Sequence, residues 1–258
     1  MHIFLTFGLV TFVLVSCTYG KATLTELGGM VMVQRQGDND WYPAVLNMPL
    51  EEGDRIKAGK GSFAEITFDN GQVVKIEEDS DLRLSSILLS EEEEKIELKA
   101  LIGRILANVK KAIGTKSKLE LHTPTAVIGV RGTEYIAEVK EDITEVAVFD
   151  GDVSVNYYKE DGMISPEEIV VKANEQVSIR LRQRPTKPYA VTPQMLAYKA
   201  RLKRLRERAE LNRRRIKEII RERERVRAEV IKRWQELRKE REKRMIEKLK
   251  KHKIKLRR

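Results

Sequence analysis

The chain has 258 residues, 41% hydrophobic and 35% charged, with a formal net charge of +10; that is enough for one sizeable core and an added element. Its one cysteine, Cys17, excludes an intrachain disulfide and a cysteine-built zinc site, and the scattered His2, His122 and His252 argue against a histidine-rich metal centre. Charge divides the chain into two modules: residues 189–258 hold 28 Lys/Arg against 10 Asp/Glu, a net of +18, and the first 188 hold 22 against 30, a net of −8.

Residues 3–15, IFLTFGLVTFVLV, form an uncharged apolar run. It falls short of the roughly 20 residues of a spanning helix and fits the core of a secretory signal. Leu14-Val15-Ser16-Cys17 follows and resembles a bacterial lipobox, in which small side chains suit the peptidase and the thiol accepts a diacylglycerol. A signal peptide over 1–16, lipid on Cys17 and a membrane-anchored protein in the periplasm or on the cell surface are expected. Met1 and His2 lack the positive charge that normally precedes such a core. A cut near Gly20 and an uncleaved anchor are the alternatives.

From residue 25 to 182 the dominant hydrophobic period is two, the mark of half-buried strands. In SFAEITFDNGQVVKIEE, Phe63, Ile66 and Phe68 precede Asp69-Asn70-Gly71, and Val73, Val74 and Ile76 follow. The Asn-Gly pair supplies positive φ for a tight hairpin. TEVAVFDGDVSVNYY has the same form around Asp150-Gly151, and VVKANEQVSIRL around Ala173-Asn174-Glu175, so two further reversals of this kind are expected. Short strands with such turns argue for a sandwich or barrel-like sheet. LSEEEEKIELKALIGRILANVKKAIG reads either as a helix opened by its glutamates or as strands near 96–98 and 102–109; strands are expected, because a helix would interrupt the sheet.

No GxSxG elbow, HExxH or phosphate-binding loop occurs. His122, with Glu120 or Asp142, is the only base to consider, and a lone histidine beside a strand is far more often filler than catalyst. Asp38, Asn39 and Asp40 lack the glycine and distal glutamate of an EF-hand loop. Neither an enzyme nor a cofactor nor a metal is expected.

Three stretches carry a family resemblance: LEEGDRIKAGKGSFAEITFDNGQVVKIEEDSDLRL at 50–84, HTPTAVIGVRGTEYIAEV at 122–139, and VAVFDGDVSV with VKANEQVSI within 146–179. Together they resemble the FecR domain of bacterial envelope proteins, above all in the run Thr-Pro-x-Ala-x-x-Gly-Val-Arg-Gly-Thr. The resemblance implies a β-sandwich of jelly-roll kind. Its namesakes relay a signal from an outer-membrane receptor to a sigma factor through a cytoplasmic N-terminal segment and one transmembrane helix. With nothing before the signal segment, only the envelope β-module is expected here, and a periplasmic signalling subunit is the alternative. Within the motif, Thr123, Pro124, Gly129, Arg131, Gly132 and Thr133 are structural candidates. Arg131 is expected as a buried strut, bonded to strand-end carbonyls or paired with Glu134 or Asp150; a hook for an anion or sugar is the other reading.

After a linker at 183–191, Thr192 caps a helix that opens on Pro193 and runs to about 252 without Pro or Gly. Tyr198, Leu202, Leu205, Ala209, Ile216, Ile219, Val226, Val230, Trp234, Leu237, Met245 and Leu249 follow a three-four spacing, interrupted by Asn212, Arg223 and Arg241. That stripe suits an imperfect coiled coil and so a homo-oligomer. Pairs such as Arg206/Glu210, Arg225/Glu229, Lys232/Glu236 and Lys243/Glu247 would support a lone helix. The basic excess, with Arg213, Arg214, Arg215, Lys250 and Lys251 foremost, points to an envelope protein partner, an anionic lipid or a wall polymer. Nucleic acid becomes the partner only if the apolar leader is not an export signal. The expected whole is a non-catalytic, lipid-anchored scaffold or binding module.

Overall fold

The computed structural model describes residues 21–90, 92–109 and 116–255. The signal segment, the lipobox and Cys17 lie outside the described residues.

Among the described residues seventeen strands precede the helices. They are β1 (Ala22–Gly28), β2 (Val31–Gln34), β3 (Tyr42–Pro43), β4 (Pro49–Leu50), β5 (Arg55–Ala58) and β6 (Phe63–Phe68). Next come β7 (Val73–Ile76), β8 (Ser80–Leu89), β9 (Glu93–Asn108), β10 (Lys116–His122), β11 (Ala126–Val130) and β12 (Glu134–Val139). The last are β13 (Ile143–Asp150), β14 (Asp152–Tyr157), β15 (Ile169–Lys172), β16 (Glu175–Arg180) and β17 (Tyr189–Ala190). A helical turn, α1 (Pro193–Leu196), leads into α2 (Lys199–Lys255).

The strands form two faces of a sandwich. The first runs β4-β1-β6-β7-β9-β12-β13-β16-β17. The second runs β3-β2-β5-β8-β9-β10-β11-β14-β15, with only the β9–β10 pairing parallel. β9 belongs to both. Its residues up to Ile102 pair with β8 and β10, and from Gly103 onward they pair with β7 and β12. Gly103 sits at φ +109°, and a Cβ there would lie 2.3 Å from the Ser80 Cα. Only glycine allows both this twist and this approach, so the long strand changes sheets at that residue.

The two inner faces alternate with period two and meet in one apolar core. Leu24, Ile66, Val74, Ile105, Tyr135 and Val146 come from the first sheet, and Val33, Ile56, Leu84, Leu98, Ile128 and Val155 from the second. Tyr135 is fully buried and its hydroxyl meets no hydrogen-bond partner among the described residues. Burial therefore pushes its ionisation far up. Tyr135→Phe removes an unpaired polar group from the core, so it is expected to leave stability unchanged or raise it by up to about 1 kcal/mol in urea denaturation. A clear loss would mean that the hydroxyl is bonded in solution.

The Asp69-Asn70-Gly71 turn is the expected hairpin, with Thr67 opposite Val73. The other two expected reversals are not hairpins. β13 lies in the first sheet and β14 in the second, and β15 and β16 are divided the same way. Gly151 (φ +76°) and Asn174 (φ +66°) therefore pass the chain over the edge of the sandwich. Of the ambiguous glutamate-rich segment, Glu93–Asn108 is strand, as expected, but one continuous strand where two were expected. Tyr189–Ala190, inside the expected linker, pairs with β16 and brings the chain back over the first sheet to the helix.

Candidate functional site: a clamped helix and a free arginine

The motif residues at 123–133 divide into a knot and a corner. Thr123 Oγ1 accepts from the N–H groups of Thr125 (3.3 Å) and Ala126 (3.0 Å), so the Thr-Pro-Thr turn closes on itself. The Thr125 hydroxyl donates to Thr144 Oγ1 at 2.7 Å, and Thr144 returns to Thr123 at 3.0 Å. These buried hydroxyls tie the β10–β11 turn, which contains Pro124, to β13. At the corner, Thr133 Oγ1 donates to the Asp152 carbonyl at 2.9 Å, and Gly132 takes φ +70°.

Arg131 is not the strut. Val130 before it faces the core with Ala126 and Ile128, so alternation sends its side chain outward, and the residue is exposed, with no hydrogen bond or ion pair among the described residues. Neither carboxylate expected for it, Glu134 or Asp150, pairs with it among the described residues, and Glu134 faces the other way. It accepts from Asn108 Nδ2 at 2.8 Å and lies 3.6 Å from Arg206 of α2. Thr133 and the glycine backbone hold the corner without a guanidinium.

α2 explains why the outer face of the first sheet carries buried acids. Thr192 caps α1 as expected, accepting from the Met195 N–H at 3.4 Å. Met195, Leu202, Leu205 and Ala209 then bury against Val73, Leu106, Ile136 and Ala147 on that outer face. Around this apolar strip the contacts are ionic. Tyr198 lies between the guanidiniums of Arg104 (3.9 Å) and Arg201 (5.1 Å), and both arginines reach Glu77, at 3.2 and 2.6 Å. Arg208 bridges Glu26, 3.1 Å from Nη1, and the fully buried Glu65.

Two of the apparent breaks in the helix stripe are docking contacts. Asn212 donates to Thr25 Oγ1 at 3.1 Å, and Arg223 donates to Thr23 Oγ1 at 2.8 Å. Arg213, expected on an anionic surface, turns inward instead. It donates to the Gly71 carbonyl at 2.8 Å and to Asn108 Oδ1 at 2.6 Å, and pairs with Glu210. The β6–β7 turn offers that carbonyl at the height of Arg213, so this cation is spent within the fold. Arg214 is exposed and Arg215 half-exposed; the side chains of Lys250 and Lys251 lie outside the described ones.

Burial also moves the ionisation of these groups. It pushes the Glu65 carboxyl up to about 7, with Glu26 adding repulsion and Arg208 and Lys75 opposing. Burial raises Asp69 against the pull of Arg223, raises Glu134 against Arg206, and lowers the Lys75 ammonium.

Beyond Arg223 the contacts stop. Every described side chain from Glu224 to Ile246 is exposed, among them Val226, Val230, Trp234, Leu237 and Met245. Residues 224–258 hold 16 Lys/Arg against 6 Asp/Glu, a net of +10. The expected pairs Arg206/Glu210, Arg225/Glu229 and Lys232/Glu236 do not form. Arg206 is drawn to the sheet, Arg225 pairs back with Glu222 at 2.6 Å, and Arg238 pairs with Glu242 at 3.3 Å.

His122 Nε2 stands 3.9 Å from Glu120 Oε2 and has no hydrogen-bond partner among the described residues. Asp38 accepts from the Tyr42 hydroxyl at 2.6 Å and the Asp40 N–H at 3.1 Å, which closes its loop as a turn. Among the described residues no group of three or more His, Cys, Asp and Glu side chains is placed to hold a metal. No described helix is long and apolar enough to cross a membrane.

No curated protein matches the chain. Two crystal structures of a protein described as a candidate anti-sigma factor from Parabacteroides distasonis are similar, at 18% and 17% identity with TM-scores of 0.44 and 0.43. Each match covers 55% of this chain and 62% of the other, so the chain spans less than two thirds of either. The family model for FecR protein matches residues 54–154, from the start of β5 through the Thr-Pro motif and into β14. Within residues 54–154 the chain carries a FecR domain.

Proposed function

We propose that the chain is a non-catalytic binding module of the cell envelope, anchored through lipid on Cys17, whose β-sandwich clamps the base of α2 and holds its outer half against an anionic lipid surface. One observation carries this reading: the basic excess splits at Arg223. The inner cations face Glu26, Glu65, Asp69, Glu77 and Glu134, whereas the described side chains from Glu224 to Ile246 meet no such face, and residues 224–258 carry a net +10. Near an anionic bilayer each unmatched Lys or Arg contributes about 1 kcal/mol, screened by salt. Exposed Trp234 and Leu237 supply apolar anchors for the interface.

The test uses the full chain with Cys17→Ser, so that no lipid confuses partitioning. It is expected to sediment with phosphatidylglycerol vesicles at low salt, to be released by high salt, and to ignore phosphatidylcholine. Trp234 emission should shift to the blue on the anionic vesicles only. Equal behaviour on both lipids would end the anionic-surface reading and leave a protein partner or a second copy. Intact mass of the membrane-extracted protein tests the anchor separately, through a start at Cys17 with a diacylglyceryl addition.

The FecR domain supports a second reading, an envelope signalling subunit that receives a partner on the sandwich and passes its state to the helix. It predicts that truncating α2 after Arg223 abolishes a transcriptional response to envelope signals. An unchanged response would remove it.

A further inference from the structure

On the outer face of the second sheet, away from α2, a groove of about 470 Å³ crosses β10, β11, β14 and β15. Its floor is low because of one residue. Gly129 lies opposite Glu120 on one side and Ser154 on the other, and a Cβ there would come within 2.8 Å of Ser154 Oγ and 3.4 Å of Lys118 Cε. Any side chain at 129 would fill the trough.

Arg131 stands at one end of this trough, exposed and without a protein partner among the described residues. The neighbouring cation, Lys118, is already bound to Glu120 at 2.6 Å. Three exposed carboxylates line the same groove: Glu93, Asp152, which the β11–β14 register sets beside Arg131, and Glu168, which precedes the Val155–Ile169 pair and lies toward the other end; Val170, 47% exposed, adds an apolar wall. A guanidinium prefers a planar two-oxygen acceptor, which it grips with parallel hydrogen bonds. The carboxylate toward the other end, Glu168, prefers an ammonium. A volume of this size lies in the range of small-ligand sites.

We infer that this groove binds a short zwitterionic peptide, with its terminal carboxylate on Arg131, its amine toward Glu168, and its body over Gly129 and Val170. The site is independent of the helix and of any membrane contact.

The probe is free-acid trialanine, observed by saturation-transfer NMR in the presence of the full chain. Saturable transfer to the alanine methyls is expected, about tenfold weaker for the C-terminal amide and for Arg131→Gln. Arg131→Lys should fall between, since it keeps the charge and loses the fork. Glu168→Gln should weaken the free-amine peptide and leave its N-acetyl form unchanged. Arg131 is exposed, so circular dichroism of the variants should match the parent. No saturable transfer, or equal transfer for acid and amide, would overturn the assignment.

Discussion

Arg208→Ala is expected to undock the inner half of α2, weakening its attachment by about 2–3 kcal/mol at pH 8. Among the described residues Arg208 is the one cation in ion-pair contact with both Glu26 and Glu65, and Glu65 is fully buried beneath it. Removing one partner of a buried pair leaves a charge without compensation, at a cost usually put at about 3–5 kcal/mol; the partial exposure of Arg208 and the ability of Glu65 to take up a proton reduce it here. Amide hydrogen exchange across residues 199–223 reads this directly, with exchange roughly a hundredfold faster. Residues 224–246 already lack contacts and should not change. Adding Glu65→Gln should restore most of the protection, because no carboxylate then needs the guanidinium. Unchanged exchange in Arg208→Ala would mean that the apolar strip around Leu205 carries the docking alone.

Much of the sandwich is legible in the sequence because half-buried strands must alternate. Ile66, Val74 and Val146 face the core while their neighbours do not, and the glutamate-rich segment resolves as strand because Ile96 and Leu98 keep the same period. Where the turns lead is less legible. Asn70-Gly71 makes a hairpin and Asp150-Gly151 a passage between sheets, and both need the same positive φ. A local signal states that the chain turns; which sheet receives it is decided by core partners far away in sequence.

The two candidate surfaces failed to show themselves for a related reason. Asn212 and Arg223 look like flaws in a coiled-coil seam until Thr25 and Thr23 are seen opposite them. The apolar strip of α2 is short because its partner is a sheet of the same chain with an acidic outer face. No helix periodicity announces that partner, although Thr25, Glu65 and Thr67 sit at strand positions where alternation points away from the core. Arg131 misleads in the opposite direction. Flanked by glycines and apolar residues, it reads as buried, but Ala126, Ile128 and Val130 face the core, so the same alternation puts position 131 on the outer face beside Gly129.

Attachment of α2 should weaken as the medium passes from pH 5 to pH 8, and Glu65 sets the slope. Its carboxyl titrates at about 7 when the helix is docked, against an ordinary 4.5, chiefly because of burial. The groups around it are Arg208 on α2, Glu26 on β1 and Lys75 on β7. A carboxyl whose docked value is raised favours docking when protonated. Its contribution is complete below about pH 4.5, declines as the pH rises through 7, and amounts to about 3 kcal/mol across the window. Asp69 and Glu134 are raised by burial too and act in the same direction. Lys75 is lowered, so its contribution grows with pH, but only toward the alkaline range of an amine. Glu65→Gln holds the protonated shape at every pH. It should match the parent near pH 5, exceed it at pH 8, and flatten the profile of hydrogen exchange across residues 199–223. A parent profile already flat between pH 5 and 8 would mean that Arg208 keeps Glu65 ionised throughout; docking would then rest on a permanent buried ion pair, and Arg208→Ala would be equally damaging at both ends of that range.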